Sequence, residues 1–230
     1  RIAHQKPQVT PVAGGDLRLF LALVNLRGGE QDQGRQLLLL VWLVIALVPG
    51  FPHPPLVAHG PQGAAKSSLF KMVKELLDPS AIQTLSPADN LREFVIQAAH
   101  HWFIPIDNLS TLPEWLSDAL SRACTGDGFS KRELYTDTDE VILAFRRIIG
   151  VNGINLVVDK PDLLDRCILL PLERVPNEER KEVADLWKRF EEAKPALLGA
   201  LFDAVAGALR EYPNIVLRSV AALGEFFLNN

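Results

Sequence analysis

The segment Gly60-Pro61-Gln62-Gly63-Ala64-Ala65-Lys66-Ser67 restricts the folds open to this chain more than any other. It follows an apolar run, Leu56-Val57-Ala58-His59. It precedes a stretch in which Leu69, Phe70, Val73, Leu76 and Leu77 recur at helical spacing. Strand, glycine-bearing loop and helix in that order fit the pattern G-x-x-x-x-G-K-[S/T], with Ala65 in the second glycine slot. Gly60 and Gly63 let the backbone curl so that successive N–H groups face a phosphate. A helix opening near Lys66 turns its free N–H groups and positive dipole end toward the same anion. Lys66 then bridges the β- and γ-phosphates of ATP and the Ser67 hydroxyl ligates Mg²⁺, with Pro61, Gln62, Ala64, Ala65 and Ser68 completing the cradle. The competing reading is a glycine-rich turn with an incidental lysine. Ala65 is the weak position, because its Cβ must clear the phosphate and positive φ costs it energy.

Such a loop needs a second strand ending in an acid that holds the Mg²⁺ water shell. Residues 101–108, HWFIPIDN, offer Asp107 at a strand end. Asn108 follows, where many ATPases carry a glutamate that activates water. An amide takes no proton, so slow hydrolysis or another base is expected, with Glu114 and Asp118 on the next helix as substitutes. Asp107 equally suits a turn or a helix cap, and Pro105 is awkward in a strand expected to be central.

Composition narrows the rest. The 230 residues suffice for one α/β core with an appendage, and the net charge of −4 gives no overall pull toward nucleic acid. A nucleic-acid contact would need a local basic patch, such as one built by several copies. Cys124 and Cys167 lack zinc or disulfide spacing and read as small core residues in a reducing cytoplasm. Residues 37–48, LLLLVWLVIALV, are too short for a membrane span of roughly 20 residues and read as a buried helix. The opening RIAHQKPQ is not a signal peptide, and an upstream portion is expected to precede Arg1.

Three regions are expected: a helical element and linker (1–54), an α/β core (55–175) and a helical lid (176–230). Helices are expected at 33–48, 66–77, 89–100 and 114–123, with strands at 56–59, 102–106, 148–151 and 168–172. A hairpin of strands 133–135 and 141–145 flanks the acidic tip 137–140. Helices 178–192, 195–211 and 215–228 close the chain. The fold class is therefore α/β, three-layered, with a mainly parallel sheet. Trp42 and Trp102 read as core and Trp187 as lid packing, while His100-His101 lacks a metal partner at usable spacing.

The segments 60–67, 106–108, 125–128 (TGDG), 132–135 (RELY), 151–153 (VNG) and 163–166 (LLDR), in that order, resemble the ATPase domain of phage and plasmid primase-helicase-like proteins. Those form the superfamily 3 helicase branch of the AAA+ class. The resemblance covers roughly residues 56–172 and implies a P-loop NTPase fold with ATP and Mg²⁺. It implies that Asn152 senses the γ-phosphate, and that Arg166 acts across the interface of a ring, such as a hexamer. It implies that Lys131 and Arg132 touch single- or double-stranded DNA. By themselves, Asn152-Gly153 is an ordinary turn pair, Arg166 suits pairing with Asp162 or Asp165, and Lys131-Arg132 suits a solvated turn. Ala65, Asn108 and a C-terminal helix with only Arg218 as sensor arginine depart from the pattern. Three functions compete: a DNA-acting ring motor of replication type, a slow nucleotide-dependent assembly switch, and a small-molecule kinase. No arginine-rich lid supports the last.

Overall fold

A computed structural model describes residues 3–26, 30–48, 50–126, 129–130, 142–143, 146–155, 158, 160–176, 178 and 183–212. In chain order the elements are α1 (Arg18–Leu21), α2 (Glu30–Ile45), β1 (Leu56–His59), α3 (Lys66–Leu77), α4 (Leu91–His100), β2 (Phe103–Ile106) and α5 (Glu114–Thr125). Next come β3 (Phe129–Ser130), β4 (Ile142–Leu143), β5 (Ile148–Gly153), α6 (Pro161–Leu164), β6 (Ile168–Pro171) and α7 (Val183–Glu211). Four strands form a parallel sheet in the order β2-β5-β1-β6.

Strand alternation splits the core into two layers, one on each sheet face. Leu56, Ala58, Phe103 and Ile148 pack with Phe20, Leu39, Trp42, Phe70, Phe190 and Leu197 from α1, α2, α3 and α7. Val57, Ile104, Ile106, Ile149 and Val151 pack with Phe94, Leu116, Leu120 and Leu163 from α4, α5 and α6. The expected three-layer α/β class is thus borne out. Residues 37–48 fall within α2 and the turn after it, and Leu39, Trp42 and Leu43 are fully buried. Among the described residues no helix is long and apolar enough to cross a membrane.

Two expectations need correction. β2 lies at the sheet edge, not its centre, because β5 is inserted between it and β1. Leu85 N donates to Pro105 O (2.8 Å) and Asp107 N donates to Leu85 O (3.0 Å) on the outer side of β2. Residue 105 therefore turns its amide position outward, and the missing proline N–H costs no ladder bond to β5. The break expected before Pro195 is also absent, since α7 runs through it. Phe190 on one side and Leu197, Leu198 and Leu201 on the other are buried along one helix, which offsets the lost helical hydrogen bond.

β3 and β4 pair antiparallel, Phe129 opposite Leu143 and Ser130 opposite Ile142, so the described part of the strand expected at 141–145 pairs with residues 129–130, not with the expected 133–135. Residues 133–135, the tip 137–140, Lys131, Arg132, Arg218 and the segment 215–228 lie outside the described residues.

The polar interior is concentrated at the foot of the sheet. Lys74, fully buried on α3, donates to Asp78 Oδ2 (2.6 Å) and Phe103 O (2.7 Å) and meets His101 Nδ1 at 3.1 Å. Asp78 Oδ2 also accepts from Trp102 N (2.8 Å) and Phe103 N (3.2 Å). Alongside, Glu75 takes Lys194 at 2.9 Å and Lys6 at 3.1 Å. Burial pushes the Glu75 carboxyl up, but its bonds from Lys194 and Lys6 outweigh that and hold it below the usual range.

Removing one partner leaves a buried charge uncompensated. Lys74→Ala is expected to lower unfolding free energy by about 3–5 kcal/mol in urea titration, far more than a surface lysine substitution. A second consequence concerns acid. Burial, and then the charge of Lys74, lowers His101 to about 4; burial, and then Arg146, lowers His53 to about 4. Both imidazoles are neutral in the fold and protonate on unfolding. Their contribution is therefore full above 6.5 and is lost as pH falls from there through about 4. The urea midpoint at pH about 5 is expected to fall clearly below that at about 7.5, the loss approaching 1.4 kcal/mol per pH unit for each histidine at roughly pH 5.

Candidate functional site: a glycine-bearing loop at the head of the sheet

β1 delivers the chain to a loop held on both flanks. Gly60 N donates to Ile154 O (3.3 Å) beyond β5, and Leu172 N, beyond β6, donates to His59 O (2.8 Å). Gly60 has φ 146°, and a Cβ there would sit 2.0 Å from Leu172 O, so only glycine fits. Gly63 has φ 82°. Ala65 adopts φ 62°, ψ 22° as the residue that caps α3. The left-handed conformation expected to be costly at Ala65 is thus the one it adopts, at about 1–2 kcal/mol relative to a right-handed residue.

The carbonyls of Gly60, Pro61, Gly63 and Ala64 accept from protein donors. Lys66 Nζ donates to Gly60 O (2.6 Å) and Pro61 O (2.9 Å), Val175 N to Gly63 O (3.2 Å), and Asn25 Nδ2 to Ala64 O (3.2 Å). In a planar trans peptide the N–H points opposite to the C=O. The N–H groups of Gln62, Ala64 and Ala65 are therefore directed away from those partners. Burial lowers the Lys66 pKa, and the charge of Asp107 partly restores it.

Opposite the helix start, Ser67 Oγ donates to Asp107 Oδ1 at 3.0 Å, across 40 residues of sequence. The strand inserted between β1 and β2 carries Asn152 near its end. Asn152 is buried; its Oδ1 accepts Asn108 N (3.0 Å) and its O accepts Leu109 N (3.0 Å). Its Nδ2 is buried without a hydrogen-bond partner among the described residues. Asn108 has φ 58°, a left-handed turn conformation that asparagine tolerates.

Residues 62–68, 108–110 and 153–155 line a cleft of about 670 Å³. Gln62, Gly63, Ala64, Ala65, Lys66, Ser67, Ser68 and Asn108 thus come together, with Asp107 and Asn152 beside them. Arg166 does not line the cleft; it pairs with Asp162 at 2.9 Å and is half exposed. Glu114 and Asp118 pair with Lys160 (2.9 and 3.2 Å) and also lie outside the lining, so neither is placed as the substitute base expected from sequence. Burial raises both thiols, Cys167 to about 12, which fits inert packing. Asn25, Val175 and Ile154 were illegible as loop supports, since nothing in their own segments marks them for it.

Comparison with known proteins adds family and fold. The family described as actinomycete integrative conjugative element replication protein matches residues 17–214. No curated protein matches the chain in sequence. Among solved structures, the apo C-terminal region of NrS-1 (305–718) aligns with a TM-score of 0.59 at 17% identity, over 85% of this chain and 49% of that one. Its A form gives 0.55 at 16% identity, over 86% and 48%. The chain therefore spans about half the length of the structures it matches, and the likeness is one of fold.

The strain at residue 65 has a measurable consequence. Ala65→Gly is expected to raise stability by up to about 1 kcal/mol, the relieved left-handed strain less the added entropy of an unfolded glycine. Calorimetric Tm checks this; an unchanged or lower Tm would mean that Ala65 carries no such strain.

Proposed function

The chain belongs to the replication proteins of actinomycete integrative conjugative elements, and we propose that within replication it is an Mg²⁺-dependent, ATP-binding P-loop module of a helicase-like motor. The carrying observation is the Ser67–Asp107 contact (3.0 Å) beside a loop whose Gly63 and Ala64 carbonyls are held by Val175 N and Asn25 Nδ2. A hydroxyl and a carboxylate brought together at a helix N-terminus suit Mg²⁺, and peptide N–H groups freed by pinned carbonyls suit phosphate. The cleft volume of about 670 Å³ suits a nucleotide.

In this reading Lys66 leaves its loop carbonyls for the β- and γ-phosphates, and Ser67 and Asp107 hold Mg²⁺, which neutralises phosphate charge. Asn152 donates its unpartnered Nδ2 to the γ-phosphate. Arg166, outside the cleft of its own chain, acts on a neighbour's nucleotide in a homo-oligomeric ring. Lys131 and Arg132 serve DNA. A second reading, a slow assembly switch, is favoured by one observation: the described residues lining the cleft include amides and hydroxyls but no carboxylate.

The two readings separate on turnover. Wild type is expected to bind Mg·ATP, with turnover that rises with protein concentration and with single-stranded DNA; Lys66→Ala abolishes both. Equal ATP binding by Lys66→Ala would sink the P-loop assignment, and binding with no turnover would select the switch. Asn108→Asp tolerates the left-handed backbone and adds a carboxylate to the lining. It is expected to raise turnover by at least about ten-fold if the missing base limits hydrolysis.

A further inference from the structure

We infer that Asn25 is a positioning residue for the phosphate loop, and that through it the N-terminal element sets nucleotide affinity. The inference rests on the P-loop reading above. Asn25 Nδ2 reaches Ala64 O at 3.2 Å and Glu173 O at 2.6 Å, joining the loop to the strap that follows β6. The same strap holds Gly63 O through Val175 N (3.2 Å). Asn25 is itself held: Phe20, Leu23 and Leu26 around it are buried in the core, and Gln36 Nε2 on α2 donates to Leu26 O at 3.2 Å.

The peptide that Asn25 grips is the one that matters most. Ala64 O belongs to the same planar group as Ala65 N–H, so drawing the carbonyl toward Asn25 turns that N–H to the opposite side. The next torsion along is the φ of 62° at Ala65, which an alanine abandons when nothing restrains it. A glycine in that slot holds the conformation unaided; this chain has alanine and an asparagine amide 39 residues upstream of Ala64. Asn25 thereby keeps a strained peptide in its phosphate-facing orientation before nucleotide arrives. Whatever displaces the segment around Asn25 loosens the loop, which makes that element a lever on the site.

The test is Mg·ATP affinity by titration for wild type, Asn25→Ala and Asn25→Asp, each with Ala65 and with Ala65→Gly, beside the apo Tm. Asn25→Asp keeps the shape and loses both donors, so it serves where the alanine variant folds poorly. Expected is a loss of about five- to ten-fold in affinity with Ala65, shrinking to less than about two-fold with Ala65→Gly. Rescue by a glycine is what a merely structural role would not give. Wild-type affinity in both Asn25 variants overturns the inference and leaves the P-loop reading standing, as does a loss of equal size in both backgrounds. Absence of binding by wild type, or unchanged binding by Lys66→Ala, removes the P-loop reading and the inference with it.

Discussion

The buried ammonium of Lys74 holds together the two elements on which the candidate site depends. Its bonds to Asp78, His101 and Phe103 O lie at the C-terminal end of α3 and the start of β2. At their other ends the same two elements carry Ser67 and Asp107, which meet at 3.0 Å. Helix and strand are therefore fastened at both ends, and the separation of hydroxyl from carboxylate is set by the core. A buried lysine is costly unless every proton finds a partner. Here the three neighbours are a carboxylate, a carbonyl and an imidazole kept neutral by burial and by the lysine itself.

Most of the sheet was legible because its strands are short apolar runs bounded by turn residues, and the loop was legible because its glycines stand between an apolar strand and a helical periodicity. What stayed hidden depends on contacts between distant residues. Nothing in the sequence marks Lys74, Glu75 and Lys194 as buried, since burial of charged side chains is rare and sequence periodicity does not announce it. Pro105 looked misplaced until the edge position of β2 and its pairing with Leu85 explained it. Pro195 looked like a boundary because local chemistry disfavours a helix there, yet apolar packing on both sides outweighs that cost. Asn25 was invisible, being one amide in an apolar stretch.

The departures from the expected motif occupy distinct places in the structure. Ala65 takes a left-handed conformation that glycine adopts without cost, and the carbonyl before it is held from outside the loop by Asn25. Asn108 is a left-handed turn residue whose N–H orients Asn152, so its place is structural as well as chemical.

Backbone amide exchange with and without Mg·ATP tests the central claim most directly, because it reads the N–H groups that the account assigns to phosphate. Protection is predicted to rise across residues 62–67 on adding Mg·ATP and to be lost when Mg²⁺ is withheld or Ser67 is replaced by alanine. Unchanged exchange across 62–67, or protection confined to another part of the chain, would contradict the account.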